Sequence, residues 1–245
     1  MPTISALQQS ERRPERYHIH LDDGRVLTLD EALVVSERLS VSLTLDEDAI
    51  ARPLAAEEER ALVDRAARYL AVRPRSRTEV RRRLLRPAPG KPAPAAEAVE
   101  RALARMEQWG YLDDAAFAAY WTEQRDRFSP RSAHAMRQEL RQRGVDAETA
   151  ASSATPDDDE ERAVAAGRKR LRALASADQR DFTLRMSGYL QRRGFGYGVT
   201  RAAVRRLWEA SRAEHGERSS FDLDELDELD ERENDANAHE PNDLW

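Results

Sequence analysis

Apolar positions along the chain change their period near residue 57. Before it, Tyr17, Ile19 and Leu21 alternate with His18 and His20, Asp22-Asp23-Gly24 supplies a turn, and Arg25 to Leu29 resumes with Leu27 and Leu29 on one face. That is a β-hairpin pattern, because Asp-Gly accommodates the positive φ of a tight turn. The residues ahead of it read as a short disordered lead. Asp30 is placed to cap a helix running to about Arg38, and a second extended stretch, Val41 to Leu45, precedes Asp46. His18 and His20 share the face opposite the apolar one. No third ligand lies near them in sequence, so this is read as a solvated face rather than a metal pair.

From Glu57 onward the spacing is helical. Leu62, Ala66, Tyr69 and Leu70 form one apolar stripe that Pro74 ends. Ser76 and Glu79 have capping-box spacing, and Val80 and Leu84 make the inward edge of a second helix whose other faces hold Arg77, Arg81, Arg82 and Arg83. A proline- and alanine-rich loop (Pro87, Pro89, Pro92, Pro94) leads to a third helix with Val99, Leu103 and Met106 aligned and Gly110 as its C-cap.

The pattern then recurs. Phe117, Tyr120 and Trp121 line a helix opened by Asp113. Pro74-Arg75-Ser76 with Val80, Arg81 and Leu84 matches Pro130-Arg131-Ser132 with Met136, Arg137 and Leu140 at an offset of 56. Met136, Leu140, Arg143 and Gly144 match Met186, Leu190, Arg193 and Gly194 at an offset of 50. The predicted fold is mostly α: three tandem three-helix repeats forming an elongated curved array, after a small β-hairpin-containing extension. The expected divisions are an extension at 1–56, repeats at 57–110, 111–155 and 156–215, and a disordered acidic tail at 216–245. The weakest predicted element is the third helix of repeat two, Asp146 to Ala154, which is short and rich in alanine and serine. Thr155-Pro156 opens the next helix, expected to carry Val164, Leu171 and Leu174 inward.

Charge sharpens this organisation. The net of −6 over 245 residues hides three segments. Residues 1–59 carry 6 basic and 13 acidic side chains, residues 60–215 carry 32 and 21, and residues 216–245 carry 2 and 12. A middle of +11 between flanks of −7 and −10 suits a polyanionic partner. Of the 40 basic residues only Lys91 and Lys169 are lysines; arginine offers a planar fork to phosphate or carboxylate. A tethered tail of −10 either simply keeps the chain soluble or folds back on the basic array and competes with a polyanion; in the second case deleting residues 217–245 tightens single-stranded DNA binding at low salt.

Several functions are excluded. Without cysteine there is no disulfide framework, thiolate zinc site, iron–sulfur cluster or cysteine nucleophile. No apolar run approaches the ~20 residues of a membrane span, and residues 1–17 lack the apolar core of a signal peptide. A cytoplasmic monomer without membrane contact is expected. The histidines at 18, 20, 134, 215 and 239 have no acid or nucleophile at a recognisable spacing, and Gly194, Gly196 and Gly198 are not a phosphate loop. The acidic run Asp157 to Glu161 is read as complementing a helix dipole rather than binding a cation. No catalytic residue, cofactor or metal site is predicted, and the chain is not read as an enzyme. The candidate binding residues are the arginines of the second helices: Arg77, Arg81, Arg82 and Arg83; Arg131, Arg137, Arg141 and Arg143; Arg192 and Arg193. Stacked repeats would align them in a stripe whose affinity for a single strand falls with salt at a slope near −0.7 per phosphate.

The segments WGYLDDAAFAAYW at 109–121, SPRSAHAMRQELRQRGVD at 129–146, YLQRRGF at 189–195 and RPRSRTEVRRRLL at 73–85 resemble the RecX family, regulators of the RecA recombinase. The resemblance spans about residues 57–210. It implies a non-catalytic modulator of RecA whose tandem repeats lie along the RecA–DNA filament, contact protomers and DNA, and suppress filament extension, ATP hydrolysis and strand exchange, with consequences for recombination and repair. It assigns the binding role to the second-helix arginines; Gly110, Asp113, Asp114, Phe117, Gly144, Gly194 and Phe195 match family positions as caps and core. The proline-rich loop, the poor third helix of repeat two and the acidic tail depart from the family pattern. Two other readings stay open: a helix-turn-helix-like DNA-binding protein unrelated to RecA, and a protein adaptor whose arginines meet carboxylates.

Overall fold

A computed structural model of the chain describes residues 1–90 and 92–214. The expected acidic tail lies outside the described residues. The chain divides into two compact units, Met1–Asp114 and the remainder from Ala115.

The first unit opens with a three-stranded antiparallel sheet in the order β1 (Ile4–Gln9), β2 (Arg16–Leu21), β3 (Val26–Asp30). Ile19 lies opposite Leu7 on one side and Leu27 on the other. Gly24 adopts φ +87° in the β2–β3 turn, which explains glycine there. The lead expected to be disordered is therefore strand β1. Ile4 is its one fully buried side chain, but its backbone is tied on both sides. It pairs with β2 across one edge, while Ile4 N donates to Leu43 O (2.9 Å) and Ser42 N to Ile4 O (2.8 Å) across the other. The stretch 41–45, expected to be extended throughout, instead begins as a turn, with Ser42 at φ +73° and Leu43 N donating to Ser40 O; only Thr44 forms a bridge, to Thr3 just ahead of β1. Helix α1 (Glu31–Ser36) is capped by Asp30, whose Oδ1 accepts from Ala32 N.

Helix α2 (Glu47–Leu70) starts at an Asp46 cap and runs unbroken through position 57, where the change of period suggested a division. Its first turns place Ile50 in the core beneath the sheet with Ile19, Leu27, Leu29, Val34 and Leu45. Its later turns place Leu62, Val63 and Ala66 in a second core with α3 (Arg77–Leu84) and α4 (Ala96–Gln108). One helix thus serves two cores. In the second, Val80, Leu84, Val99 and Leu103 are fully buried, as their spacing predicts, at about 1.5–3 kcal/mol of transfer free energy each. The Ser76–Glu79 capping box is formed. Gly110 turns the chain at φ +73° after α4, and Leu112 packs back onto the same core.

The second unit holds α5 (Asp114–Phe128), α6 (Ala133–Gln142), α7 (Ala147–Ser153), α8 (Asp159–Arg168), α9 (Gln179–Gln191) and α10 (Tyr197–Glu214). Its first core is thin: Phe117, Ala118, Leu140, Val145 and Ala150, with Trp121 at the rim. Its second is large: Phe182, Met186, Leu190, Phe195, Val204, Leu207 and Trp208 among them. The helix expected to carry Val164, Leu171 and Leu174 stops at Arg168; Leu171–Leu174 is a separate 3₁₀ turn whose leucines reach the core from outside. Two hydrogen bonds from the start of α6 join the two three-helix sets. Ser132 N donates to Arg193 O (3.2 Å), and Ala133 N donates to Asp159 Oδ1 (2.7 Å). Gly194, at φ +88°, lies against them; a Cβ there would sit 2.7 Å from Ser132 Oγ and 2.9 Å from Ala135 Cβ.

Candidate nucleic-acid and partner interface

The second helix of each three-helix set positions its arginines by burying two apolar residues four apart: Val80 and Leu84 in α3, Met136 and Leu140 in α6, Met186 and Leu190 in α9. All six side chains are fully buried, so the remaining faces of each helix carry the charge outward or toward neighbouring elements.

Those neighbours divide the ten candidate arginines. Arg77 donates from Nε to Glu107 (2.6 Å) and from Nη2 to Glu100 (2.8 Å), while Arg81 donates to the other oxygen of Glu100. The Arg81 and Arg77 guanidiniums hold the Glu100 carboxyl below its ordinary value, and Glu100, with Glu107, holds Arg77 above its own. In α6, Glu139 collects Arg131 (3.2 Å), Arg125 (2.8 Å) and the Trp121 indole N–H (2.9 Å). Arg137 donates to Ala154 O at 2.8 Å, tying α6 to the end of α7. Arg143 lies over the Trp121 ring at 3.7 Å. Arg193 lies over Tyr189 at 4.6 Å and donates to Ser129 Oγ and Pro130 O. Six of the ten therefore hold the fold together. Arg82, Arg83, Arg141 and Arg192 are exposed, Arg83 only loosely stacked on Tyr69 at 5.8 Å.

Other arginines carry structure that the sequence pattern did not single out. Arg65 donates to Arg83 O, Leu84 O and Arg86 O, neutralising the C-terminal carbonyls of α3; burial, then the Arg83 and Arg68 charges, push its guanidinium below the ordinary value. Arg162, buried in α8, reaches Asp126, Asp158, Asp159 and Thr155 O. Four of the five residues of the acidic run meet arginines: Asp158 and Asp159 face Arg162, and Glu160 and Glu161 face Arg206. The Asp158/Arg162 spacing of four was readable from sequence; the pairing with Asp126, 36 residues away, was not. His18 Nδ1 lies 3.1 Å from Thr28 Oγ1, and among the described residues no group of three His, Asp or Glu is placed to hold a metal ion. No helix among the described residues is long and apolar enough to cross a membrane.

Family models described as "RecX, second three-helix domain" and "RecX, third three-helix domain" match residues 113–152 and 157–204, the two sets of the second unit. The regulatory protein RecX of Amycolatopsis mediterranei is 33% identical over 139 residues, 56% of this chain and 77% of the relative. The chain belongs to the RecX family. The RecX of Bacillus subtilis is 27% identical over 207 residues, 83% of this chain and 76% of the relative. A crystal structure of a regulatory protein RecX shares the fold with a TM-score of 0.62 at 24% identity, covering 81% of this chain and 97% of the other. RecX relatives are named as regulatory proteins, and the two three-helix sets of the second unit match the family's second and third domains.

Proposed function

We propose that this chain modulates, and specifically inhibits, the RecA recombinase by binding the RecA–DNA filament, and so acts on homologous recombination and DNA repair. Membership of the RecX family carries the reading. The charge distribution supports it, since the +11 segment is the one that contains the family's domains. Contact with phosphate falls to the exposed arginines Arg82, Arg83, Arg141 and Arg192. Arg77, Arg81, Arg131, Arg137, Arg143 and Arg193 act by shaping the helices that present them. The protein works as a cytoplasmic monomer without cofactor.

RecA ATPase on single-stranded DNA, measured with and without the protein, tests this. Strong inhibition at substoichiometric protein is the expected result. No effect on RecA together with tight, sequence-selective duplex binding would favour a helix-turn-helix-like DNA-binding protein instead. Replacing Arg82, Arg83, Arg141 and Arg192 together by alanine should abolish inhibition with helicity unchanged.

A further inference from the structure

The second unit contains a cleft of about 410 Å³ between the 3₁₀ turn Leu171–Leu174 and helix α9, and its charge is one-sided. Arg170, Arg185 and Arg192 line it, and no carboxylate does. Arg185 is paired with Asp181 at 2.9 Å, leaving Arg170 and Arg192 without an ion pair among the described residues. The larger cleft of the first unit, about 900 Å³, is the contrast: five arginines and five carboxylates line it, so it has no net preference for an anion. The floor of the smaller cleft is apolar and partly aromatic, made by Leu174, Leu184 and Tyr189 over the buried Met186. Tyr189 is flanked by Arg170 at 5.0 Å and Arg193 at 4.6 Å, within cation–π range of its ring.

A second feature adjoins it. Arg168, Lys169 and Arg170 form an exposed basic run at the end of α8. Lys169 Nζ donates to Phe128 O (2.9 Å) and Arg127 O (3.2 Å), which holds the end of α5 beside that run. There Phe128 is 63% exposed with Arg127 over its ring at 5.1 Å. Solvent-exposed aromatic rings interleaved with unneutralised cations are the requirement for holding unpaired bases and their phosphates.

We propose that the Arg170–Tyr189–Arg192 cleft and the Phe128 platform bind a single-stranded polynucleotide, the cleft taking one nucleotide and Phe128 stacking a neighbouring base. This deepens the nucleic-acid contact of the regulatory reading and rests on it for the source of the strand. The volume is in the range of about 300–1,000 Å³ typical of small-ligand sites. A concave site of that size admits an unstacked nucleotide, whereas a duplex presents its phosphates on a convex surface with the bases stacked inside. An acidic peptide would satisfy the two arginines but would leave the apolar floor and Phe128 unused.

The test is fluorescence anisotropy of labelled oligo(dT) and oligo(rU) with the full chain, repeated across a salt series. The R170A/R192A variant should bind at least tenfold more weakly at low salt, and the slope of log K against log[salt] should shallow by about 1.4, two phosphates at ~0.7 each. F128A should weaken binding by about fivefold or more with little change in slope. R12A/R52A, the same charge removed from exposed arginines of the first unit, should stay within about twofold of the wild type, with all variants keeping the wild-type circular dichroism. Preference for oligo(dT) assigns DNA and preference for oligo(rU) assigns RNA. Affinity and slope of R170A/R192A equal to those of R12A/R52A, or tighter binding of a duplex of the same length, overturns the proposal. Inhibition of RecA by a protein that does not bind oligo(dT) or oligo(rU) would remove the cleft and leave the regulatory role. Cleft-dependent binding without any effect on RecA would keep the cleft and remove that role.

Discussion

Replacing Arg162 by alanine should destabilise the second unit more than any exposed arginine replacement. Its side chain is 8% exposed and is shared among three carboxylates of unequal burial: Asp126 at 38%, Asp158 at 63% and Asp159 at 13%. Truncating one partner of a fully buried ion pair costs about 3–5 kcal/mol, because the other charge is stranded. Here Asp126 and Asp158 can turn to water, so their share is small. Asp159 cannot: it keeps the Ala133 N–H but loses the guanidinium, and Thr155 O loses a donor at 2.7 Å. At roughly 1–3 kcal/mol per acceptor left unsatisfied, R162A should cost about 2–4 kcal/mol. With a urea m-value near 2 kcal/mol/M, the midpoint moves by about 1–2 M, read by far-UV circular dichroism. D159N in the R162A background removes the stranded charge while keeping an acceptor for Ala133 N–H, and should recover about 1 kcal/mol or more. A loss below about 1 kcal/mol in R162A, or further destabilisation by D159N in that background, would refute the account.

S76A removes the buried hydroxyl that accepts from Glu79 N at 3.1 Å and should lower stability by about 1–2 kcal/mol in chemical denaturation, with the loss confined to the first unit. E100Q should flatten the acid limb of the stability–pH curve. Glu100 is held below its ordinary value of 4.5 by Arg81 and Arg77, so the stability it supplies is present above that value and lost as pH falls through the depressed one; thermal unfolding from pH 7 to 3 reads the change. G194A and G110A both force alanine into positive φ, at about 1–2 kcal/mol. G194A must also displace Ser132 and Ala135, whereas nothing lies within 4 Å of a Cβ at Gly110; the thermal midpoint of the second unit should fall further in G194A than that of the first unit in G110A.

The repeat pattern was legible because burial of a helix face depends on the helix's own spacing. Val80 with Leu84, Met136 with Leu140 and Met186 with Leu190 each stand four apart on one helix face and are all fully buried. Caps were legible for the same reason: Asp30 and Ser76 act on backbone N–H groups two or three residues away. Strand β1 was not, since ISALQQ buries only Ile4 fully and owes its form to partners at 17–21 and 42–43. Nor was the division of the arginines. Arg82 and Arg81 are adjacent in sequence, yet Arg81 meets Glu100 from α4 and Arg82 stays exposed.

By itself the sequence determined the helical repeats, their inward residues, the glycine turns and the concentration of positive charge between residues 60 and 215. These follow from short-range geometry and from summed charge. The tertiary structure decided which arginines are spent on structure and which face solvent, and it placed Arg170 and Arg192 around one carboxylate-free cleft. An arginine's availability depends on whether a carboxylate or carbonyl from another element comes within bonding distance, and that is set by packing between helices rather than by the order of residues along one of them.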